Sequence, residues 1–240
     1  MNGWRARIGL VVPSSNTTAE PELSAAVPNG VSVHAARMPL EDVTASDLDA
    51  MADRATDCAE LLGHADVDVV AYGCTTGSLL HGHGFDAELE ADIEAAAGCP
   101  AVATALSVER ALDALDCRRI ALATPYVDDL TRREVEYLEA GGREVVAVDG
   151  RAVEANTDIG ALTPRDAYRQ VTALLADADD PDGIFVSCTN YPSLSAVETL
   201  ETDRGLPVIT SNAATVWDAL RTVGVATESV PGRLSAREWR

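Results

Sequence analysis

The sequence predicts an α/β fold of two similar halves, each a parallel sheet covered by helices, with a cleft between them. Three observations lead there. Short continuous apolar strands alternate with stretches of helical spacing, the pattern of parallel sheets buried on both faces. The pattern then runs a second time: RIGLVVP at Arg7–Pro13 is echoed by RIALATP at Arg119–Pro125, and PAVATA at Pro100–Ala105 by PVITS at Pro207–Ser211. Finally, VDVVAYGCTTGSLL at Val67–Leu80 is echoed by GIFVSCTNYPSL at Gly183–Leu194, which puts Cys74 and Cys188 at matching places where a strand runs into a tight turn. Open parallel sheets hold their ligands at that end of their strands. The repeat therefore predicts two cysteines on opposite walls of one cleft.

Taken in order, Arg7–Pro13 reads as a buried strand, followed by a polar loop into a helix with acids in its first turn. Val31–Met38 is the second strand. Ala45–His64 has helical spacing, with Leu48, Met51, Ala55, Cys58 and Leu62 on one side and Ser46 as a possible cap. After the Cys74 strand come a loop at His81–Phe85, a helix at Ala87–Ala97 stopped by Gly98, a strand at Pro100–Ala105 and a helix at Ser107–Leu115. The second pass has a strand at Arg119–Pro125, a helix at Val127–Ala140, a strand at Glu144–Val148 and a helix at Pro164–Ala178 with proline in its first turn. The Cys188 strand, Pro207–Ser211 and a helix at Asn212–Val223 follow. The polar tail from Thr227 is expected to be poorly ordered or used in contacts. The expected division is 1–112 and 113–212, with 213–240 carrying the last helix back onto the first half.

Composition narrows the function. The chain has 240 residues, 39 of them acidic against 18 basic, for a net charge of −21, and contains no lysine. Such a surface repels nucleic acid and anionic membranes. Acids are spread along the chain, as a solvated surface would have them. They suit a salt-loaded cytoplasm, where charges are screened within roughly 3 Å at 1 M salt, and the expected setting is the cytoplasm of an extreme halophile. No apolar run is long enough to cross a membrane as a helix, and the start lacks a cleavage-like segment. Without lysine, neither a Schiff base to pyridoxal phosphate nor a Walker-type phosphate lysine is possible. The five cysteines form no CxxC pair. That argues against both a disulfide framework and a zinc ribbon, and Cys58, Cys99 and Cys117 read as ordinary small residues. His81 and His83 lack further ligands at a diagnostic spacing, so no metal is expected.

Five motifs in order, VPSSNTTAEPE at Val12–Glu22, GCTTGS around Cys74, ATPY ending at Tyr126, EANTDIG around Asn156 and SCTNYPSL around Cys188, carry a family likeness. Over nearly its whole length the chain resembles the aspartate/glutamate racemase superfamily, which does not use pyridoxal phosphate. Within it the chain is most similar to the maleate cis–trans isomerase and arylmalonate decarboxylase branch. The resemblance implies two pseudo-symmetric Rossmann-like, flavodoxin-like halves with one cysteine from each, no cofactor, a small dicarboxylate substrate, and a homodimer or larger homo-oligomer. The opening loop is Ser14-Ser15-Asn16 where amino-acid racemases tend to have Asp-Ser. Asn190 stands where they carry histidine. Decarboxylases of the branch have glycine in place of Cys74.

The resemblance also implies the chemistry. Cys74 is expected as a nucleophile that adds to the double bond of maleate, and Cys188 as the acid/base for the neighbouring carbon. The sequence alone does not break the symmetry between them. Backbone N–H groups after each cysteine could receive carboxylates and favour thiolate. Asn16, Tyr126 and Asn156 are expected as neutral donors to substrate, though a rim aromatic and two turn or cap residues are the plainer readings. Thr75, Thr76, Thr189 and Ser15 cap helices, bind a carboxylate, or do both. Asn190 fits substrate contact and turn support equally, and Glu20 and Glu22 read as first-turn acids that favour the helix dipole. A racemase or epimerase with opposed cysteines, an arylmalonate-type decarboxylase and a dicarboxylate-binding protein without turnover are the alternatives.

Overall fold

The computed structural model describes residues 3–40 and 45–237, residues 45–53 and 78–80 through their backbone alone. Among them the chain forms two four-stranded parallel sheets. The first contains β1 (Ala6–Pro13), β2 (Val31–Met38), β3 (Val69–Tyr72) and β4 (Ala101–Ala103) in the order β2-β1-β3-β4. The second contains β5 (Arg119–Thr124), β6 (Glu144–Gly150), β7 (Gly183–Val186) and β8 (Val208–Thr210) in the order β6-β5-β7-β8. The two orders are the same, so the sequence echoes correspond to structurally equivalent strands. The β3 and β7 segments are buried throughout, while the edge strands β2 and β6 are partly exposed. That is why the former are continuous apolar runs and the latter are not.

The helices are α1 (Ala19–Ala26), α2 (Ala45–Gly63), α3 (Thr76–His81), α4 (Phe85–Ala97), α5 (Thr104–Ala114), α6 (Asp128–Ala140), α7 (Asn156–Gly160), α8 (Pro164–Leu174), α9 (Val197–Arg204) and α10 (Ser211–Thr222). One apolar core lies between the sheets. It joins Ile8 and Leu10 of β1 and Ile120 and Leu122 of β5 to α1, α5 and α10, with Trp217 fully enclosed. The opposite face of the first sheet packs on α2 and α4, and that of the second on α8 and Val197 and Leu200 of α9. Helix α10 lies against α5 and α1 and also touches β3, β4 and β8. Burial of α10 from Ser211 through Leu220 joins the halves, because its Ala, Val, Trp and Leu side chains leave water.

Several boundaries differ from expectation. Strand β4 stops at Ala103, since Thr104 opens α5 and its hydroxyl donates to the Tyr72 carbonyl at 2.9 Å. Helix α8 ends at Leu174, short of Ala178. The helices α7 and α9 have no clear periodic signal in the sequence. The tail is used in contacts through Arg237: Val230 and Leu234 are buried, and Arg233 N donates to Glu201 Oε2 at 2.8 Å. On α2, Ala55, Cys58 and Leu62 are buried as expected. The Ser46 cap, the Leu48 and Met51 side chains and residues 238–240 of the tail lie outside what is described.

Candidate functional site

In each sheet the winding reverses between the two central strands, so a crevice opens at their carboxyl ends. The expected residues leave the fold there: Ser15 and Asn16 after β1, Cys74 to Thr76 after β3, Tyr126 after β5, Cys188 and Thr189 after β7. Asn16, Cys74, Thr75, Thr76, Tyr126, Asn156, Cys188 and Thr189 line one cavity, with Asn190, Leu40 and Ile159. Ser15 stands behind that wall, where its Oγ accepts from Asn156 Nδ2 at 2.7 Å. The cavity holds about 20 Å³, room for a single water molecule.

The two cysteines sit in unlike surroundings. Burial raises both thiols. At Cys74 this is opposed by the Thr76 hydroxyl, 3.5 Å from Sγ, by the N–H groups of Gly77 and Thr76 at the start of α3, and by the Tyr72 hydroxyl. At Cys188, pushed up to about 12, burial is opposed by the Tyr126 hydroxyl and by Asn190 N–H at 3.3 Å. Negative charge on Cys74 or Glu134 raises it further. Cys188 also adopts φ +90, a conformation that costs a side-chain-bearing residue about 1–3 kcal/mol. The Ser211 hydroxyl accepts from Cys188 N at 3.0 Å and helps to hold it there.

The family model described as arylmalonate decarboxylase matches residues 8–234. The chain belongs to that family. The maleate isomerase of Nocardia farcinica is 33% identical over 238 residues, covering 94% of this chain and 93% of the relative. A crystal structure of a Pseudomonas putida maleate isomerase, a cysteine-to-alanine variant with maleate, superposes with a TM-score of 0.90 at 29% identity, covering 98% of both chains. A Nocardia farcinica maleate cis–trans isomerase structure, a cysteine-to-serine variant with a covalently bound succinylcysteine intermediate, gives 0.87 at 30% identity over 96% of this chain and 98% of the other. The branch of the superfamily read from the five motifs, and the two-half α/β fold, are both correct.

In this member of the arylmalonate decarboxylase family polar side chains bridge the cleft between the halves. Asn16 Nδ2 donates to Thr189 Oγ1 at 3.0 Å, while its Oδ1 accepts from Thr18 N and Ala19 N, so it also caps α1. Thr189 Oγ1 in turn donates to the Gly73 carbonyl at 3.1 Å. Thr75 Oγ1 and Ser211 Oγ lie 3.2 Å apart. Asn190 supports its turn on every polar atom: Oδ1 accepts from Thr17 N at 2.9 Å, Nδ2 donates to Asn156 O at 2.6 Å, and its carbonyl accepts from Thr18 Oγ1 at 3.0 Å. Tyr126 is buried in the wall, with no hydrogen-bond partner of ordinary geometry for its hydroxyl.

The contacts of three residues near the site are not legible in the sequence. Glu22 does more than favour a dipole. Its carboxylate accepts from Ser193 N and Leu194 N, at 2.9 and 3.0 Å, and from Asn212 Nδ2 at 2.7 Å. Asn212 also donates to Thr189 O at 3.0 Å, so α1 of the first half pins the loop that follows Cys188. Burial raises the Glu22 carboxyl, and those three donors oppose the rise. Glu134 of α6 is 1% exposed and accepts from Ser187 Oγ, next to Cys188, at 2.5 Å. Burial pushes its carboxyl up to about 8, against the opposing hydrogen bond from Ser187. Tyr72, at the end of β3, is fully buried beside Cys74.

The histidines lie apart from this cavity. His81 ends α3 and stacks on Phe85, while His83 stacks on Tyr137, bonds to its carbonyl at 2.8 Å and lies 3.3 Å from Glu109. Among the described residues no group of three His, Cys, Asp or Glu side chains is arranged to hold a metal ion, and no helix is long and apolar enough to cross a membrane. A larger open groove of about 460 Å³ runs between α1 and the tail, lined by Pro21, Leu194 and Pro231 among others, without a cysteine or histidine.

Proposed function

We propose that the chain isomerises maleate to fumarate, with Cys74 as nucleophile and Cys188 as acid/base. The observation that carries this reading is the unequal pair of thiols in one small cavity. Cys74 has more donors to stabilise negative charge, and its ionisation raises Cys188, so Cys74 takes the thiolate role and Cys188 keeps its proton. The Cys74 thiolate adds to one olefinic carbon, and the π electrons move onto the neighbouring carbon and its carboxylate. That carbon takes the Cys188 proton, leaving a succinyl thioether with a single bond that rotates. Cys188 thiolate then removes a proton, the electrons re-form the double bond, and Cys74 leaves as thiolate. Bonds and protons balance without an added cofactor or co-reactant.

Asn16, Tyr126 and Asn156 are assigned to the substrate carboxylates, with Thr75, Thr76, Thr189 and Ser15 supporting them. Neutral donors suit a chain without lysine, because they compensate two carboxylates without neutralising them. The same reading divides the chain at 112/113 and returns 213–240 to the first half, supported by the packing of α10 on α1 and α5. It places the protein in the cytoplasm of a halophile as a homodimer or larger assembly, in line with its −21 charge.

Purified protein mixed with maleate in concentrated salt tests the activity directly. Proton NMR is expected to show the fumarate signal growing with no addition. Absence of fumarate, with deuterium exchange at a carbon next to an amino-acid carboxylate instead, would favour the racemase alternative, which the two opposed cysteines also suit.

A further inference from the structure

Each thiol of the site has a tyrosine hydroxyl against it, but only Tyr126 lines the cavity. Tyr72 is 0% exposed and lies beneath it, in the same apolar cluster as Cys74. Its hydroxyl has no hydrogen-bond partner of ordinary geometry within the protein. Leaving such a donor unmade costs about 1–3 kcal/mol, and Phe would fill the same space without that cost. Two observations indicate what the hydroxyl is for. It is close enough to Cys74 for each group to alter the ionisation of the other. It also reaches under the first turn of α3, where a Cβ on Gly77 would stand 3.1 Å from the oxygen. The glycine of the GCTTGS motif thus leaves room for the hydroxyl on the side from which the Gly77 N–H favours thiolate at Cys74.

We propose that Tyr72 is a further catalytic residue, whose hydroxyl donates a hydrogen bond to the Cys74 sulfur whenever that sulfur carries negative charge. The unmet donor of the neutral site is satisfied in the thiolate, before addition and again as the sulfur leaves the adduct. Stabilisation is therefore confined to the charged states on either side of the bond-forming step. The other ionisable group acting on Tyr72 is Asp86 of α4, whose Oδ2 already accepts from Tyr137 at 3.2 Å.

The inference rests on Cys74 being the nucleophile, and the test separates the two. Tyr72→Phe and wild type are compared in the rate of Cys74 alkylation by iodoacetamide across pH, read by peptide mass, and in kcat and KM for maleate. The Phe variant is expected to melt no lower than wild type. Its alkylation midpoint should move up by about one pH unit and kcat should fall about tenfold, with KM nearly unchanged, the size of one hydrogen bond to a charged group. An unchanged midpoint in a folded variant overturns the proposal, whether or not maleate turns over. A shifted midpoint in a protein that does not act on maleate upholds the contact and rejects the activity. Gly77→Ala, which presses a methyl on the hydroxyl, provides a second variant should Tyr72→Phe fail to fold. It is expected to move the midpoint the same way, and no shift in it also overturns the proposal.

Discussion

The Cys74 and Cys188 walls are built on the same repeated unit, yet their surroundings differ. Both cysteines follow a buried central strand and both are enclosed. Cys74 faces two backbone N–H groups, a threonine hydroxyl and a tyrosine hydroxyl. Cys188 faces one N–H and a tyrosine hydroxyl, with the buried Glu134 carboxyl accepting from its neighbour Ser187. Donors lower the cost of a thiolate, and a neighbouring negative charge raises it. The repeat gives two equivalent positions, and the proposed roles of nucleophile and proton donor rest on the different side chains around them.

The largest test of that contrast removes each sulfur in turn. Cys74→Ala is expected to abolish fumarate formation. Cys188→Ala should reduce it by about 10²–10⁴-fold, the range for losing a positioned acid/base, while leaving the iodoacetamide reactivity of Cys74 close to wild type. Equal reactivity of the two thiols in the wild type would break the comparison.

A smaller effect sharpens it. Glu134 is raised from 4.5 to about 8, so between those values the unfolded chain has released a proton that the folded chain retains. Its contribution to stability is therefore complete below about pH 4.5 and is lost as pH rises toward about 8. Denaturant midpoints of wild type and Glu134→Gln, measured across that interval, should diverge in slope, the wild type losing on the order of a few kcal/mol more. Parallel slopes would mean that no neutral carboxyl stands behind Cys188.

The smallest effect concerns the link between walls. Glu22→Gln keeps the shape but loses the charge-assisted acceptance from Ser193, Leu194 and Asn212. Stability is expected to fall by about 1–3 kcal/mol and kcat by several-fold through the displaced Cys188 loop. Alkylation of Cys74 should be unaffected, and a change there would show the two walls to be less independent than the contacts imply.

The strands and the cysteine pair were legible because their signals are local: an apolar run, a turn, and a second copy of both. The roles of Glu134, Glu22 and Tyr72 were not, because each depends on what folds against it. Glu22 reads as a first-turn acid until the loop after Cys188 closes on it. Tyr72 reads as the end of an apolar strand until its oxygen is found without a partner. Glu134 left a faint trace, since Thr131, Glu134, Tyr137 and Leu138 share the buried face of α6 at helical spacing. A charged residue on such a stripe is worth marking. The short helix α7 escaped because five residues hold too little periodicity to register.

The asymmetry of the thiols is tested most directly by trapping the reaction midway. Cys188→Ser mixed with maleate and digested for peptide mass mapping should carry a succinyl group on the peptide containing Cys74, and Cys74→Ser should carry none. A succinyl group on Cys188 in the Cys74→Ser protein, at a rate matching the first, would contradict the division of labour between the walls.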